Sequence, residues 1–418
     1  MISLAPASMI VDFMYNWNYF NDKIVHHPLT DCNNLFNAFH EARKGSHWKN
    51  QVQKFRWNKL SELKKLQDEL NNFKDSKPHA YKTSSISEFF VQERGKVRPI
   101  TGLQIRDRVV RHCLNDIFLI PLITPHLIYD NGASLKGKGI SFSRNRIVTH
   151  LEKFFKENHT NKGYILLMDY SKFYDNIRHD YAFNMISQYV HDDFVLKLTQ
   201  SIYAEYKIDV SYLKDESEIS KYLDTKLDVV KYRKEHHPKL GKLFLNKSMS
   251  VGDQTSQITA IAFPTQIDYL IKHKLQRKFY GRYMDDSYII SKNKESLKQD
   301  LEMIYKEATS MGIFINLNKT HISRIDQSFK FLQFKYYLTD KGHIVIRINP
   351  KTIVRMRRKL KKLANKNRSL VKIEQLFKAW IGNYYKYMSK KQKKNIIKLY
   401  RKLYGGGLDL WLYQKHIY

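Results

Sequence analysis

Tyr280-Gly281-Arg282-Tyr283-Met284-Asp285-Asp286-Ser287-Tyr288-Ile289-Ile290 is the stretch whose reading decides the fold. Aromatic and β-branched residues flank two adjacent aspartates, so Phe279 to Ser291 reads as strand, tight turn and strand. An Asp-Asp pair alone is ordinary turn composition. The string Tyr283-Met284-Asp285-Asp286 is rarer: at average residue usage, chance supplies it on the order of once in a thousand chains of this length. One carboxylate pair is a poor charge match for two divalent ions, so the chemistry asks for a third acid. Gly163 to Asp169 is a short apolar run of strand length that ends on a carboxylate. A carboxylate at the mouth of a buried strand is costly unless paired or metal-bound. With that strand beside the hairpin, Asp169, Asp285 and Asp286 are expected in one small volume. Mg²⁺ takes hard oxygen ligands and keeps waters and substrate phosphates. Two such ions roughly 3.5–4 Å apart activate an attacking 3′-hydroxyl and stabilise a departing pyrophosphate. The expected reaction is nucleotidyl transfer.

The rest of the composition agrees with a polyanionic substrate. The 418 residues carry 73 Lys and Arg against 40 Asp and Glu, a formal charge of +33. With 42% hydrophobic and 13% aromatic residues, this is no disordered polybasic tail. No run approaches the roughly 18 apolar residues of a membrane span, so no membrane partner is expected. Met1-Ile2-Ser3-Leu4-Ala5-Pro6 lacks the cationic start of a secretory signal. Cys32 and Cys113 are too few for a disulfide framework or a cysteine-based zinc site. The charge concentrates late: from Ile346 onward about twenty Lys and Arg face only Glu374 and Asp409. There Val354, Met356, Leu360 and Leu363 are expected to form one helical stripe, with Arg355, Arg358, Lys359 and Lys362 on the remaining surface. A second basic helix is expected from Lys390 to Leu403, stopped by Gly405-Gly406-Gly407. Trp380, Tyr384, Tyr385 and Tyr387 lie between them, and cations with nearby aromatics are how a protein grips a nucleic-acid strand. Asn33 to Arg43 and Leu60 to Phe73 read as helices, Phe329 to Tyr337 and Ile344 to Ile348 as strands, and Leu213 to Lys234 as an exposed helical insertion. Strands mixed with helices, followed by a basic helical module, make an α+β chain.

At these residues the chain resembles the reverse transcriptases. Tyr283-Met284-Asp285-Asp286 is similar to their catalytic signature, and Met168-Asp169-Tyr170-Ser171-Lys172-Phe173-Tyr174-Asp175-Asn176-Ile177-Arg178-His179 to their first catalytic motif. The latter follows the bacterial style of group II intron, retron and diversity-generating enzymes. Lys96-Val97-Arg98-Pro99-Ile100 with Arg106-Asp107-Arg108-Val109-Val110 resembles the fingers motif. Ser250-Val251-Gly252-Asp253-Gln254-Thr255-Ser256-Gln257 resembles the template and nucleotide motif, Asn318-Lys319-Thr320 a later palm motif, and Phe331-Leu332-Gln333-Phe334 the primer grip. Two positions depart: Val251 stands where many relatives carry Gln, and Gln333 where they often carry glycine.

The resemblance, which covers about Lys96 to Leu338, implies a right-hand polymerase: an N-terminal helical extension (1–80), fingers (81–162), a palm of antiparallel sheet and helices (163–345, with an inserted segment near 205–245) and a basic α-helical thumb (346–418). It implies Asp169, Tyr170, Asp285 and Asp286 as holders of two Mg²⁺ ions, with Mn²⁺ as a substitute, and Lys319 as a catalytic partner of the pyrophosphate. Lys96, Arg98, Tyr174, Gly252 and Gln254 are implied to meet the nucleotide. Phe331 and Gln333 are implied to meet the nucleic acid with Arg355, Arg358, Lys359 and Lys362. Tyr174 falls five residues past Asp169, where a bulky ring collides with a ribose 2′-hydroxyl and admits deoxynucleotides.

The activity expected is therefore RNA-directed DNA synthesis. Its partners are an RNA template, the cDNA product and dNTPs, in the bacterial cytoplasm. Stand-alone enzymes of the defence-associated, prophage-borne class are the nearest in style, with a structured companion non-coding RNA as template. A diversity-generating enzyme, an RNA-dependent RNA polymerase and a catalytically silent RNA-binding protein stay open, as do the primer and the oligomeric state. Asn131 to Gly139 lacks the Gly-Lys-Ser/Thr ending of a phosphate loop. The pairs His26-His27 and His236-His237 lack a ligand cluster. Tyr413 and Tyr418 are the hydroxyls that a protein-primed enzyme would use.

Overall fold

A computed structural model describes residues 26–93, 96–213, 217–236, 242–365 and 369–405, without the side chains of 93 and 96. Helices α1 (Cys32–Ala42), α2 (Asn50–Trp57) and α3 (Lys59–Lys74) come first. An antiparallel hairpin of β1 (Ser87–Glu93) and β2 (Lys96–Gly102) leads to α4 (Ile105–Leu114) and later α5 (Ile140–Asn158). Strand β3 (Tyr164–Asp169), α6 (Asp193–Ala204), the short pair β4 (Ile208–Asp209) and β5 (Phe244–Leu245), and α7 (Gln254–Ala262) follow. Then come β6 (Tyr280–Tyr283), β7 (Asp286–Ser291), α8 (Lys294–Ser310), β8 (His321–Arg324), β9 (Phe329–Phe331), β10 (Phe334–Leu338) and β11 (Ile344–Ile348). Among the described residues the last α-helices are α9 (Pro350–Ala364), α10 (Leu370–Tyr384) and α11 (Lys390–Tyr404). Among the described residues no helix is long and apolar enough to cross a membrane.

Two compact units divide these elements. The first takes the chain up to Gly137 with Asp169–Gln276 and Asp300–Leu317. Its helices are phased by their apolar residues: α3 buries Leu63, Leu66 and Leu70 at three- and four-residue spacing. Asp31 caps α1 by accepting the Asn34 N–H at 2.9 Å. The segment expected as an exposed helical insertion has a core of its own. Besides short helices at Ser217–Leu223 and Val229–Glu235, it pairs β4 with β5 and buries Ile208, Val210, Leu227, Val229 and Leu245 together. Lys247 ties it down, donating its buried ammonium to the carbonyls of Leu223 (2.8 Å) and Thr225 (2.7 Å). Burial lowers the pKa of that ammonium to about 8.

The second unit comprises Lys138–Met168, Arg277–Gln299 and the chain from Asn318. It holds a four-stranded sheet in the order β6-β7-β3-β8 and a three-stranded sheet in the order β11-β10-β9. Both share one core: Leu151 and Phe154 of α5, Ile165 and Leu167 of β3, Tyr288 of β7, Phe334 and Tyr336 of β10, and Phe377 and Ile381 of α10. Ile165 through Met168 are all buried, which explains a continuous apolar run where a one-faced strand would alternate. Helix α9 enters the same core on a stripe rotated from the expected one. Ile353, Met356 and Leu360 are buried, while Val354 is 43% exposed. The reason is phase: residues three and four apart share a helix face, and Val354 lies two residues from Met356. Helix α11 starts with a capping box between Ser389 and Gln392 and stops at Gly405, whose φ of +80° ends the helix.

Leu360→Ala is expected to cost about 2–5 kcal/mol of stability through the cavity it leaves. Val354→Ala is expected to stay within about 0.5 kcal/mol. Denaturant unfolding of both variants measures the difference.

Candidate active site

The two aspartates sit where the chain reverses between β6 and β7. Tyr283 pairs with Asp286, which leaves Met284 and Asp285 as a two-residue loop. Such loops demand a positive φ at the first central position, and Met284 has φ +55°. A non-glycine residue in the left-handed region costs about 1–2 kcal/mol, so the turn needs support. Arg282, 1% exposed, supplies part of it by donating Nη1–H to the Met284 carbonyl at 3.3 Å. Sequence reasoning passed over Arg282; a charged residue at a buried position of β6 was the available signal. Asp285 and Asp286 are half-buried. Strand β7, which Asp286 begins, hydrogen-bonds to β3, which Asp169 ends.

Asp169 is 8% exposed and is fastened to the segment after α8. The Asn316 N–H donates to the Asp169 carbonyl at 2.8 Å, and Asn316 Nδ2 donates to Asp169 Oδ2 at 3.1 Å. Tyr170, itself buried, bridges to Ile315, and the Ser171 N–H donates to the Phe314 carbonyl at 2.6 Å. The sequence reading picked out Asn318-Lys319-Thr320 and missed Asn316 two residues earlier. Lys319 itself is exposed, and its carbonyl is 2.8 Å from His321 Nδ1.

Backbone hydrogen bonds gather most of the expected nucleotide residues inside the first unit. Tyr174 is half-buried on the short helix Phe173–Asn176, and its carbonyl accepts the Met249 N–H at 2.8 Å. The Ile177 carbonyl accepts the Ser248 N–H at 2.9 Å. His179 Nε2 lies 2.6 Å from the Ser248 carbonyl, which only accepts, so that nitrogen carries the proton. Burial pulls the His179 pKa down to about 4, leaving a neutral ring at neutral pH. Farther along, the Thr101 N–H donates to the Val251 carbonyl at 3.1 Å, and the Ser250 and Thr101 hydroxyls bond to each other. Gly252 follows with φ +116°, and a Cβ there would stand 3.0 Å from the Thr101 carbonyl. Only glycine fits such an approach. Arg98 is exposed on β2, three residues before Thr101, while the side chain of Lys96 lies outside the described residues. Gln254 opens α7 with its amide nitrogen on Asp116 at 2.9 Å. Asp253 caps α7 and joins a buried network that sequence reasoning also missed. Its Oδ2 accepts the Tyr206 hydroxyl at 2.9 Å, and Arg111 lies 3.6 Å from its Oδ1 and 2.7 Å from Glu205.

In the second unit, Leu332 and Gln333 form the β9–β10 turn, with φ +42° and +75° and no glycine. Two side chains hold that strained turn. Arg144 Nη2 donates to the Leu332 carbonyl at 3.1 Å, Arg144 also stands 4.1 Å over the Phe334 ring, and Tyr384 donates to Gln333 Oε1 at 2.8 Å. Phe331 packs inward, 4% exposed with its ring 5.0 Å from that of Tyr288, so the surface at this turn is backbone and Gln333. Tyr384 and Tyr387 likewise pack on Phe334. Arg355, Arg358, Lys359 and Lys362 are exposed on α9. Tyr413 and Tyr418 lie outside the described residues.

Among the described residues no three His, Cys, Asp or Glu side chains form a ready-made metal cage. Magnesium in phosphoryl transfer commonly rests on one or two carboxylates, with substrate phosphates and water completing the shell. Hard oxygens are what Asp169, the Tyr170 carbonyl, Asp285 and Asp286 offer, and that donor chemistry fits Mg²⁺ or Mn²⁺.

No curated protein matches the sequence. Among solved structures, telomerase from Candida albicans, in complex with a TWJ fragment of telomeric RNA, is similar at 13% identity and a TM-score of 0.41. The match covers 79% of this chain and 61% of that one, so this chain spans about three fifths of that protein's length. Residues 82–336, more than half of the sequence, match the family described as "Reverse transcriptase (RNA-dependent DNA polymerase)", and the chain belongs to the reverse transcriptase family.

Proposed function

We propose that this protein is an RNA-directed DNA polymerase that makes cDNA from dNTPs on an RNA template. The observation that carries the proposal is the strand order: β3, ending on Asp169, lies beside β7, which begins on Asp286 one residue after Asp285. Reverse transcriptase domains use divalent metal ions. Asp169, Asp285, Asp286 and the Tyr170 carbonyl would hold two of them, which supply an activated 3′-oxygen and charge stabilisation for the leaving pyrophosphate.

The chain's own residues do the rest. Arg98 and Lys96 neutralise the triphosphate, and Lys319 protonates or neutralises pyrophosphate. The Tyr174 ring, with its backbone tied to Met249, closes off the space of a ribose 2′-hydroxyl. Gly252 lets backbone approach the nascent base pair. Gln254, engaged with Asp116, stiffens the start of α7 behind that glycine. Arg355, Arg358, Lys359 and Lys362 hold the duplex by its phosphates, and the Leu332–Gln333 turn meets the primer strand.

The narrower part of the proposal is a bacterial enzyme of antiphage defence copying a structured companion RNA, supported by the style of Met168 to His179 and by the +33 charge. Sequencing the cDNA made in cells tests it: one recurrent template and start point is expected, and cDNA from random cellular RNA overturns it.

Asp285→Asn and Asp286→Asn are each expected to reduce primer extension by about a hundredfold or more while RNA binding persists. RNA binding and a cellular phenotype that both survive unchanged once synthesis is lost would leave only an RNA-binding protein. Tyr174→Ala is expected to loosen discrimination against rNTPs by about 10- to 200-fold in kcat/KM. Parallel assays with rNTPs or dNTPs measure this, and rNTP preference in the unaltered protein would indicate an RNA polymerase. Gly252→Ala is expected to raise the KM for dNTPs, because the left-handed backbone and the Thr101 carbonyl both oppose a Cβ at a cost of about 1–3 kcal/mol.

A further inference from the structure

We propose that Asn316 is a positioning residue for Asp169, setting which carboxylate lone pairs Asp169 presents to a divalent ion. The inference rests on the polymerase reading above. Asn316 grips Asp169 twice, by main chain to main chain at 2.8 Å and by side chain to Oδ2 at 3.1 Å. Two bonds to one residue fix both the backbone position and the side-chain rotation of Asp169.

The segment that delivers Asn316 is itself anchored. After α8 the chain turns at Gly312, which has φ +69° and would place a Cβ 3.3 Å from Arg178 Cδ. Ile313 and Ile315 are buried, so their neighbours Phe314 and Asn316 face the other way. Phe314 accepts the Ser171 N–H on its carbonyl, and the Lys247 ammonium lies 5.3 Å from its ring. Asn316 thus reaches Asp169 from a braced segment.

The residue type matters as much as the place. A carboxamide donates N–H to a carboxylate without adding charge. An aspartate of the same shape can only accept, and it would set a second negative charge against Asp169. Outer groups that orient a metal-binding carboxylate typically contribute 10- to 100-fold to metal affinity or activity.

The test uses the full chain with Asn316→Ala, the isosteric Asn316→Asp, and Asp169→Asn as reference. Primer extension is titrated with Mg²⁺, and Mn²⁺ binding is followed by electron paramagnetic resonance without substrates. RNA affinity is measured in EDTA, and thermal unfolding checks the fold. For Asn316→Ala, the Mg²⁺ concentration for half-maximal rate is expected to rise about 10- to 100-fold, with Mn²⁺ binding weakened to match. RNA affinity stays unchanged. Asn316→Asp, which keeps the shape even where the alanine variant fails to fold, is expected to shift metal dependence and Mn²⁺ binding differently from alanine at equal thermal stability. Metal curves that coincide with those of the unaltered protein, with or without a loss of rate, overturn the positioning role. Full synthesis by Asp169→Asn overturns the placing of Asp169 at the metal ions, and no primer extension by the unaltered chain overturns the polymerase reading itself; both results are distinct from the first.

Discussion

A carboxylate at the end of a buried strand resists leaving water, and that constraint governs the architecture around Asp169 in the first unit and, separately, around the Asp285–Asp286 turn in the second. Four buried residues precede Asp169 in β3, so the strand cannot slide without exposing Ile165 to Met168. Asn316 then fastens Asp169 at backbone and side chain. On the hairpin, Arg282 supports the Met284 carbonyl from a position that is almost wholly buried. Asp169 is thus held by a donor, which is what a buried anion requires, and the hairpin is braced at its backbone.

The second recurring device is a strained turn braced by side chains. Met284, Leu332 and Gln333 all occupy left-handed backbone without being glycine. Around the latter two, Arg144 and Tyr384 provide hydrogen bonds and a cation over a ring, so the turn is held by its surroundings. The departure from glycine at position 333 is thereby explained: a glutamine accepts the Tyr384 hydroxyl, a bond that glycine cannot make. Gly252 is the opposite case, where a left-handed backbone and a crowded approach to the Thr101 carbonyl both disfavour a Cβ.

Charge and packing divide the labour in the last helices. In α9 the apolar stripe of Ile353, Met356 and Leu360 is buried while the cations stay in water, where they remain able to meet phosphates. The aromatics near α10, expected at a strand-gripping surface, prove to be largely packing: Tyr384 and Tyr387 lie against Phe334, and Trp380 against Phe377. A basic surface grips through the backbone of its ligand, and such a surface needs a stiff scaffold more than it needs exposed rings.

Local features of the chain carried much of this by themselves. Strand β3 with its terminal acid, the 283–286 hairpin, the helices α1, α3 and α11 and the family all follow from short windows, because apolar spacing, turn residues and a rare tetrapeptide are local properties. Other features only the tertiary structure decided. The insertion's small core pairs Ile208 with Leu245, the α9 stripe depends on which face meets Phe377's neighbours, and Asn316 finds Asp169 at a sequence separation of 147. Arg111 joining Asp253 and Glu205 is of the same kind. Such contacts depend on the three-dimensional return of the chain, and a single sequence carries no period or spacing that announces which distant polar groups will meet.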